Sequence, residues 1–143
     1  MEKAQAEKGK ELLEAVRESI AETGTIMDEI LKNILEAADK LRFTQDRETF
    51  EGVGELVTNL QHLFEYVSSL KEGVALLGKY GYELDDKVFE RWDEAAGHLE
   101  EIASAFERKD WVYAADVMEY ELHPLLSEGV KGLKAAAESM REL

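Results

Sequence analysis

Apolar side chains repeat every seven residues through the middle of the chain. One heptad position holds Val53, Leu60, Val67 and Val74, and the other holds Leu56, Leu63, Leu70 and Leu77. Phe50, Val57 and Phe64 widen the stripe beyond what a two-stranded coiled coil needs. The pattern predicts a helix over about 48–79 that lies inside a bundle.

A second heptad series precedes this one and predicts a helix over about 3–42. It consists of Leu13, Ile20, Met27, Ile34 and Leu41, with Val16, Thr23, Ile30 and Ala37 between them. Gly24 allows a break, because an interior glycine costs about 1 kcal/mol and Thr25 could cap a new helix. The heptad phase continues through Gly24, which favours one helix, bent or straight, over two.

The third predicted helix covers about 85–108. Gly78 and Gly81 indicate the stop before it, and Asp85 is the predicted N-cap. Its predicted inner face contains Phe89, Trp92, Ala96, Leu99, Ile102, Ala103 and Phe106.

The fourth predicted helix covers about 110–142 and begins at the cap Asp110. Its apolar stripe runs through Ala115, Met118, Leu122, Leu126, Val130, Leu133, Ala137 and Met140. The heptad count gains one residue near Pro124, which cannot donate to the carbonyl of Tyr120. We therefore predict a local bulge or bend within one helix; the alternative is that one helix ends there and another starts.

These segments predict an all-α fold, a single domain over 1–143 in which two α-hairpins form an antiparallel four-helix bundle. The first helix is longer than the third by about 16 residues, so its N-terminal turns should either overhang or pack on another surface. Leu12, Leu13, Val16 and Ile20 would then need cover, and a second copy of the chain is the simplest source. A homo-oligomer, most simply a homodimer, is the resulting expectation.

Composition limits the classes of partner. The chain has 32 acidic and 17 basic residues, a formal net charge of −15 and no cysteine. Both halves are acidic, so DNA, RNA and anionic lipid should be repelled, unless the protein mimics DNA. There is no apolar signal sequence and no long apolar run, so we expect a cytoplasmic protein that binds neither nucleic acid nor membranes.

The sequence contains no motif of a known catalytic or phosphate-binding site, and we expect a non-enzyme without cofactors. None of the three histidines follows a glutamate by three residues, as a di-iron or di-manganese bundle requires. Glu94/His98 and Glu119/His123 do lie four apart. They are either surface pairs or, as an alternative function, a metal or small-ligand site.

Aromatic residues concentrate at the start of the fourth helix. Helical spacing points Trp111 at the core and places Tyr113 and Tyr120 on a flank. These residues either seal the end of the bundle or form a patch that binds a partner, since tryptophan and tyrosine are favoured in interfaces.

Residues 109–126, KDWVYAADVMEYELHPLL, resemble the C-terminal signature of an uncharacterised family of small all-helical bacterial proteins. Its members share Lys-Asp-aromatic, an Ala-Asp pair and Glu-Tyr-Glu-Leu, followed after one residue by Pro-Leu-Leu. The resemblance implies that Asp116, Glu119, Tyr120 and Glu121 form a specific feature around the bend. In shape alone, the chain is also similar to flagellar export chaperones.

The first functional hypothesis is therefore a non-enzymatic interaction, scaffold or chaperone-like module that binds a protein partner, itself, or both. The candidate binding residues are Leu12, Leu13, Val16, Ile20, Trp111, Tyr113, Asp116, Glu119, Tyr120 and Glu121.

Overall fold

The computed structural model describes residues 2–143. Helix α1 spans Glu2–Phe43, α2 spans Arg47–Leu77 with a 3₁₀ extension at Gly78–Tyr80, and α3 spans Val88–Glu107. Residues 2–143 contain no strand, which confirms the predicted all-α class.

The last helix is built of three consecutive parts. Helix α4 (Trp111–Asp116) continues into a π-helical segment (Val117–Leu122), which continues into α5 (His123–Arg141). The N–H of His123 donates to the carbonyl of Met118, five residues earlier, so the turn before Pro124 is wider than an α-turn. The predicted bulge is therefore present, and the alternative of two separate helices is wrong.

Helix α1 passes through Gly24 without interruption. The hydroxyls of Thr23 and Thr25 donate to the carbonyls of Ser19 and Ala21, at 2.8 and 3.2 Å. Thr25 thus bonds back to its own helix and caps no new one. Gly24 is buried, and a Cβ there would lie 3.1 Å from the side chain of Lys134.

The helix ends follow the predicted caps with one exception. Asp110 caps α4 by accepting from the N–H of Tyr113 at 3.2 Å, and Gly81 ends the 3₁₀ extension with a left-handed φ of 90°. Asp85 is not an N-cap. Its carboxylate accepts from the N–H of Lys87 at 3.0 Å in an exposed turn, and α3 begins only at Val88.

Three neighbouring pairs of helices are shown to be antiparallel by their contacts, because residue numbers rise along one helix as they fall along the other. Along α1 and the last helix, Arg42 contacts Asp116 and Asp28 contacts Lys134. The same reversal relates α3 to the last helix and α2 to α3, through the pairs Glu101–Tyr113, Trp92–Gly129, Phe50–Phe106 and Phe64–Trp92. These helix directions are those of the predicted antiparallel four-helix bundle.

The predicted stripes form the core. Leu60, Leu99 and Leu122, one from each of three helices, are 1%, 4% and 0% exposed. On α3 the stripe is rotated from the prediction: Ala103 is exposed, whereas Ala95 and Ala105 are fully buried. Alanine is small enough to occupy either face of a helix, so the alanine positions did not indicate which face of α3 is buried.

Of the two alternatives for the N-terminal half of α1, packing on another surface is the one that forms, and the alternative of an overhang is wrong for its apolar residues. Leu13, Val16 and Ile20 are 7%, 6% and 0% exposed within one chain, and Leu12 packs partly against the core. The reason is that α1 packs beside α2 and the last helix from Gly9 onward, not beside the shorter α3, while residues 2–8 are exposed. Near its N-terminus, for example, a Cβ on Gly9 would lie 3.0 Å from Tyr80.

Self-association stays a prediction, but these buried side chains do not form an exposed surface that would drive it. Separately, no helix within residues 2–143 combines the length and apolarity needed to cross a membrane.

Candidate functional site

The π-helical segment lies between α1 and α3 and carries predicted site residues toward both. Asp116, Glu119 and Tyr120 contact Arg42 of α1. On the other side, Glu121 contacts His98 of α3. The candidate site therefore has two parts, one on each flank of the last helix.

The first part, the Arg42 cluster, consists of Arg42, Asp116, Glu119 and Tyr120. Arg42 donates from Nη2 to Asp116 Oδ1 at 2.9 Å and from Nη1 to Glu119 Oε1 at 3.1 Å. Its guanidinium carbon lies 5.6 Å from the centroid of the Tyr120 ring, within cation–π range. The Arg42 side chain is only 18% exposed, so these contacts compensate for the loss of its hydration.

Contacts within the Arg42 cluster shift the pKa values of Glu119 and Tyr120 in opposite directions. The Tyr120 hydroxyl and the Arg42 guanidinium lower the pKa of Glu119. The Glu119 carboxylate in turn raises the pKa of Tyr120. At neutral pH the glutamate is therefore ionised and the tyrosine is protonated.

The second part, the His98 cluster, consists of His98, Glu101 and Glu121. His98 Nδ1 lies 3.4 Å from Glu101 Oε1 and 3.4 Å from Glu121 Oε2. The other oxygen of Glu101 accepts from the Tyr113 hydroxyl at 3.0 Å, and this bond raises the pKa of Tyr113. One imidazole and two carboxylates thus converge from α3 and the π-helical segment.

A family model described as a domain of unknown function (DUF8042) matches residues 9–129. The chain belongs to this family. The matched range includes both clusters and the π-helical segment. No curated protein and no solved structure matches the chain.

The DUF8042 match confirms the prediction of a family without an assigned function. The detailed C-terminal signature and the similarity to flagellar export chaperones stay predictions.

The aromatic residues of the DUF8042 chain separate into a packed and an exposed group. Trp111 is half-buried, with its ring centroid 4.4 Å from that of Phe50 and 5.1 Å from that of Phe106. Tyr113 and Tyr120 are 41% and 66% exposed. Trp111 therefore seals the core, as its spacing predicted, whereas Tyr113 and Tyr120 present large surfaces to solvent.

The two predicted Glu/His pairs are not the contacts that form. Glu94 pairs with Arg91 at 3.1 Å, while His98 turns to the carboxylates of the His98 cluster. His123 is partly buried; burial lowers its pKa, and the nearby charge of Glu119 acts weakly against this.

Sequence reasoning missed Arg42 and Glu101 as site residues. Arg42 lies at the end of α1, where a cation is expected for the helix dipole alone. Glu101 follows His98 by three residues, a spacing that places both on one face of a helix, whereas the di-metal motif has its glutamate before the histidine.

Proposed function

We propose that this DUF8042 protein is a non-enzymatic binding module that binds a basic, partly apolar segment of a partner protein. The binding surface is the tyrosine face, defined as the exposed side of residues 112–121 together with Phe43. The observation that carries the proposal is the concentration of exposed apolar side chains on this face.

Exposed apolar side chains are scattered singly elsewhere in residues 2–143 but grouped here. The large ones are Ile26, Phe43, Tyr66, Leu76, Val112, Tyr113, Tyr120 and Leu143. Three of these fall within nine residues of the last helix, and Phe43, which is 84% exposed, directly follows Arg42. Single exposed apolar residues need no explanation, whereas grouped ones favour a binding surface.

The charge of the tyrosine face supports a basic partner. Asp116 and Glu121 are about half exposed, at 49% and 48%, and lie between and beside the two tyrosines. A lysine or arginine of the partner can pair with these carboxylates and stack on a tyrosine ring. The net charge of −15 adds long-range attraction that salt should weaken.

The Arg42 cluster supports the proposal because it holds the face in place before binding. Arg42 fixes Asp116 and Glu119 and lies over the ring of Tyr120. Side chains already ordered in the free protein lose less entropy on association. The lowered pKa of Glu119 keeps its carboxylate ionised at neutral pH, so it can contribute to attracting a basic partner.

Site-specific photo-crosslinking tests this proposal in the cells that make the protein. A photoreactive residue is placed at position 112 or 120, and at position 66 as the control, since Tyr66 is 44% exposed on α2. We expect positions 112 and 120 to capture the same segment, with a lysine- or arginine-rich sequence, and position 66 to capture none of it.

The captured segment, made as a peptide, should bind the full chain more weakly at high salt. Tyr120→Ala should weaken this binding, and Tyr66→Ala should leave it unchanged. An acidic segment, a second copy of this chain, or equal capture from all three positions would overturn the proposal.

A further inference from the structure

We propose that His98, Glu101 and Glu121 form a binding site for one divalent transition-metal ion of the zinc type. This inference does not depend on the tyrosine face binding a partner. It rests on the geometry of the three ligand atoms, on the state of the imidazole nitrogen, and on the side chains that support them.

The spacing of the three atoms suits a shared metal ion. His98 Nδ1 is 3.4 Å from each of Glu101 Oε1 and Glu121 Oε2, and all three ligand atoms lie within 4.8 Å of one another. Zinc binds imidazole nitrogen and carboxylate oxygen at about 2.0–2.2 Å, so two ligands of a tetrahedral ion lie about 3.4 Å apart. The two separations from His98 Nδ1 to the glutamate oxygens match that distance.

The same separations suit direct hydrogen bonds poorly. A charged imidazole N–H donating to a carboxylate is expected at about 2.7–2.9 Å. His98 Nδ1 makes no hydrogen bond to either glutamate and is shielded from solvent. Within residues 2–143 it is the only buried side-chain polar atom without a hydrogen-bond partner. A metal ion between the three residues would give this nitrogen its missing partner.

Neighbouring groups hold the ligands in position. Tyr113 donates its hydroxyl to Glu101 Oε2 at 3.0 Å, which leaves Oε1 directed at His98. The guanidinium of Arg108 lies 5.7 Å from the centroid of the Tyr113 ring. Such outer contacts orient metal ligands and strengthen binding. Tyr113 is therefore a positioning residue for the site.

The π-helical segment supplies the third ligand. Glu121 lies within the wide turn, beside α3, while Asp116 and Glu119 on the same helix reach α1. π-turns inside helices often occur at functional sites. Three protein ligands leave a fourth tetrahedral position for water, and the side chains of Glu101 and Glu121, 43% and 48% exposed, keep that position open.

A calorimetric titration of the metal-stripped full chain with zinc tests the site. Cobalt is bound in place of zinc as a probe, because its visible absorption reports the coordination geometry. We expect one ion per chain and a cobalt absorption of the tetrahedral type. His98→Gln and Glu121→Gln should each weaken zinc binding by at least about tenfold, and Tyr113→Phe should weaken it about tenfold while keeping one ion per chain.

His62→Gln is the matched control, because His62 and Glu65 form an exposed pair at 3.9 Å with the same spacing as His98 and Glu101. It should bind zinc as the wild type does. Helix content is checked by circular dichroism, and Glu121, being half exposed, provides a variant that leaves the core intact. Absent zinc binding, or zinc binding and a cobalt spectrum unchanged in both His98→Gln and Glu121→Gln, would overturn the proposal while leaving the tyrosine face untouched.

Discussion

The indole nitrogen of Trp92 donates to the carbonyl of Gly129 at 3.3 Å, and the two helices approach so closely that a Cβ on Gly129 would lie 2.8 Å from that nitrogen. This approach joins α3 to α5. A rigid ring cannot move aside as a flexible side chain would, so the glycine is required by packing.

Gly129→Ala should therefore destabilise the protein. Overpacking costs about 1–3 kcal/mol, which exceeds or offsets the gain of about 1 kcal/mol that alanine brings to a helix. Chemical denaturation measures the free energy of unfolding. Gly54→Ala on α2, where a Cβ would meet nothing within 4 Å, should instead stabilise by up to about 1 kcal/mol. Equal effects of the two changes would contradict this account.

Ile20→Ala tests the burial of the N-terminal half of α1. The side chain is 0% exposed, and its truncation should lower the free energy of unfolding by about 2–5 kcal/mol. Ile26→Ala, on the same helix but 57% exposed, should change it by less than about 0.5 kcal/mol. If Ile20 instead faced a second copy, the loss would depend on protein concentration, which the same denaturation curves at two concentrations would show.

Arg42→Ala should raise the pKa of Glu119 toward its ordinary value of 4.5, because it removes a cation that favours the carboxylate. A carboxyl whose pKa is lowered by folding stabilises the native state above its unfolded pKa and loses that contribution as pH falls through the folded pKa. The stability difference between wild type and Arg42→Ala should therefore shrink in acid.

Carboxyl chemical shifts in NMR titrations report the pKa of Glu119 directly. Arg47→Ala is the control, because Arg47 pairs with Glu51 on an exposed turn of α2. An unchanged Glu119 titration in Arg42→Ala would show that Tyr120 alone sets the shift.

His123 should make stability depend on pH near neutrality. Burial lowers its pKa below the ordinary 6.5, so the unfolded chain takes up a proton before the folded chain does. The contribution of His123 is present above pH 6.5 and is lost as pH falls through the folded pKa. His123→Gln should remove this pH dependence, whereas His62→Gln, at a 73% exposed position, should retain it. Denaturation curves across this pH range measure both.

Pro124→Ala should change stability much less than an ordinary interior proline would suggest. Removing such a proline gains about 3 kcal/mol in a regular helix. Here the π-helical segment already widens the turn before Pro124, so the proline ring and its missing N–H disturb the helix less than they would in a regular α-helix. We expect a gain below about 1 kcal/mol and persistence of the π-turn in the variant structure. A full gain of about 3 kcal/mol would show that the proline strains the helix.

Periodicity predicted the features that depend on one helix at a time. The heptads of α1 and α2 gave both helices to within a few residues, and the slip in the last stripe located the π-turn beside Pro124. Features that depend on two helices were missed. The excess length of α1 over α3 left open whether its N-terminal turns overhang or pack elsewhere, because periodicity does not show that α1 lies beside α2 and the last helix.

In the candidate site, too, the residues on one helix were predicted and their partners on other helices were not. The resemblance marked Asp116, Glu119, Tyr120 and Glu121, yet their partners Arg42 and His98 lie on other helices. Which charged side chains meet across two helices depends on their relative rotation and height. A stripe of apolar residues does not specify these to the precision of a hydrogen bond.

The π-turn also matters for protein engineering. One surplus residue turns everything downstream by about 100° relative to a regular helix, since each residue advances a helix by that angle. Grafting Trp111–Asp116 and His123–Arg141 onto an ordinary helical template would therefore point one of the two segments away from its intended neighbours. A designer who borrows this helix must transplant the wide turn with it.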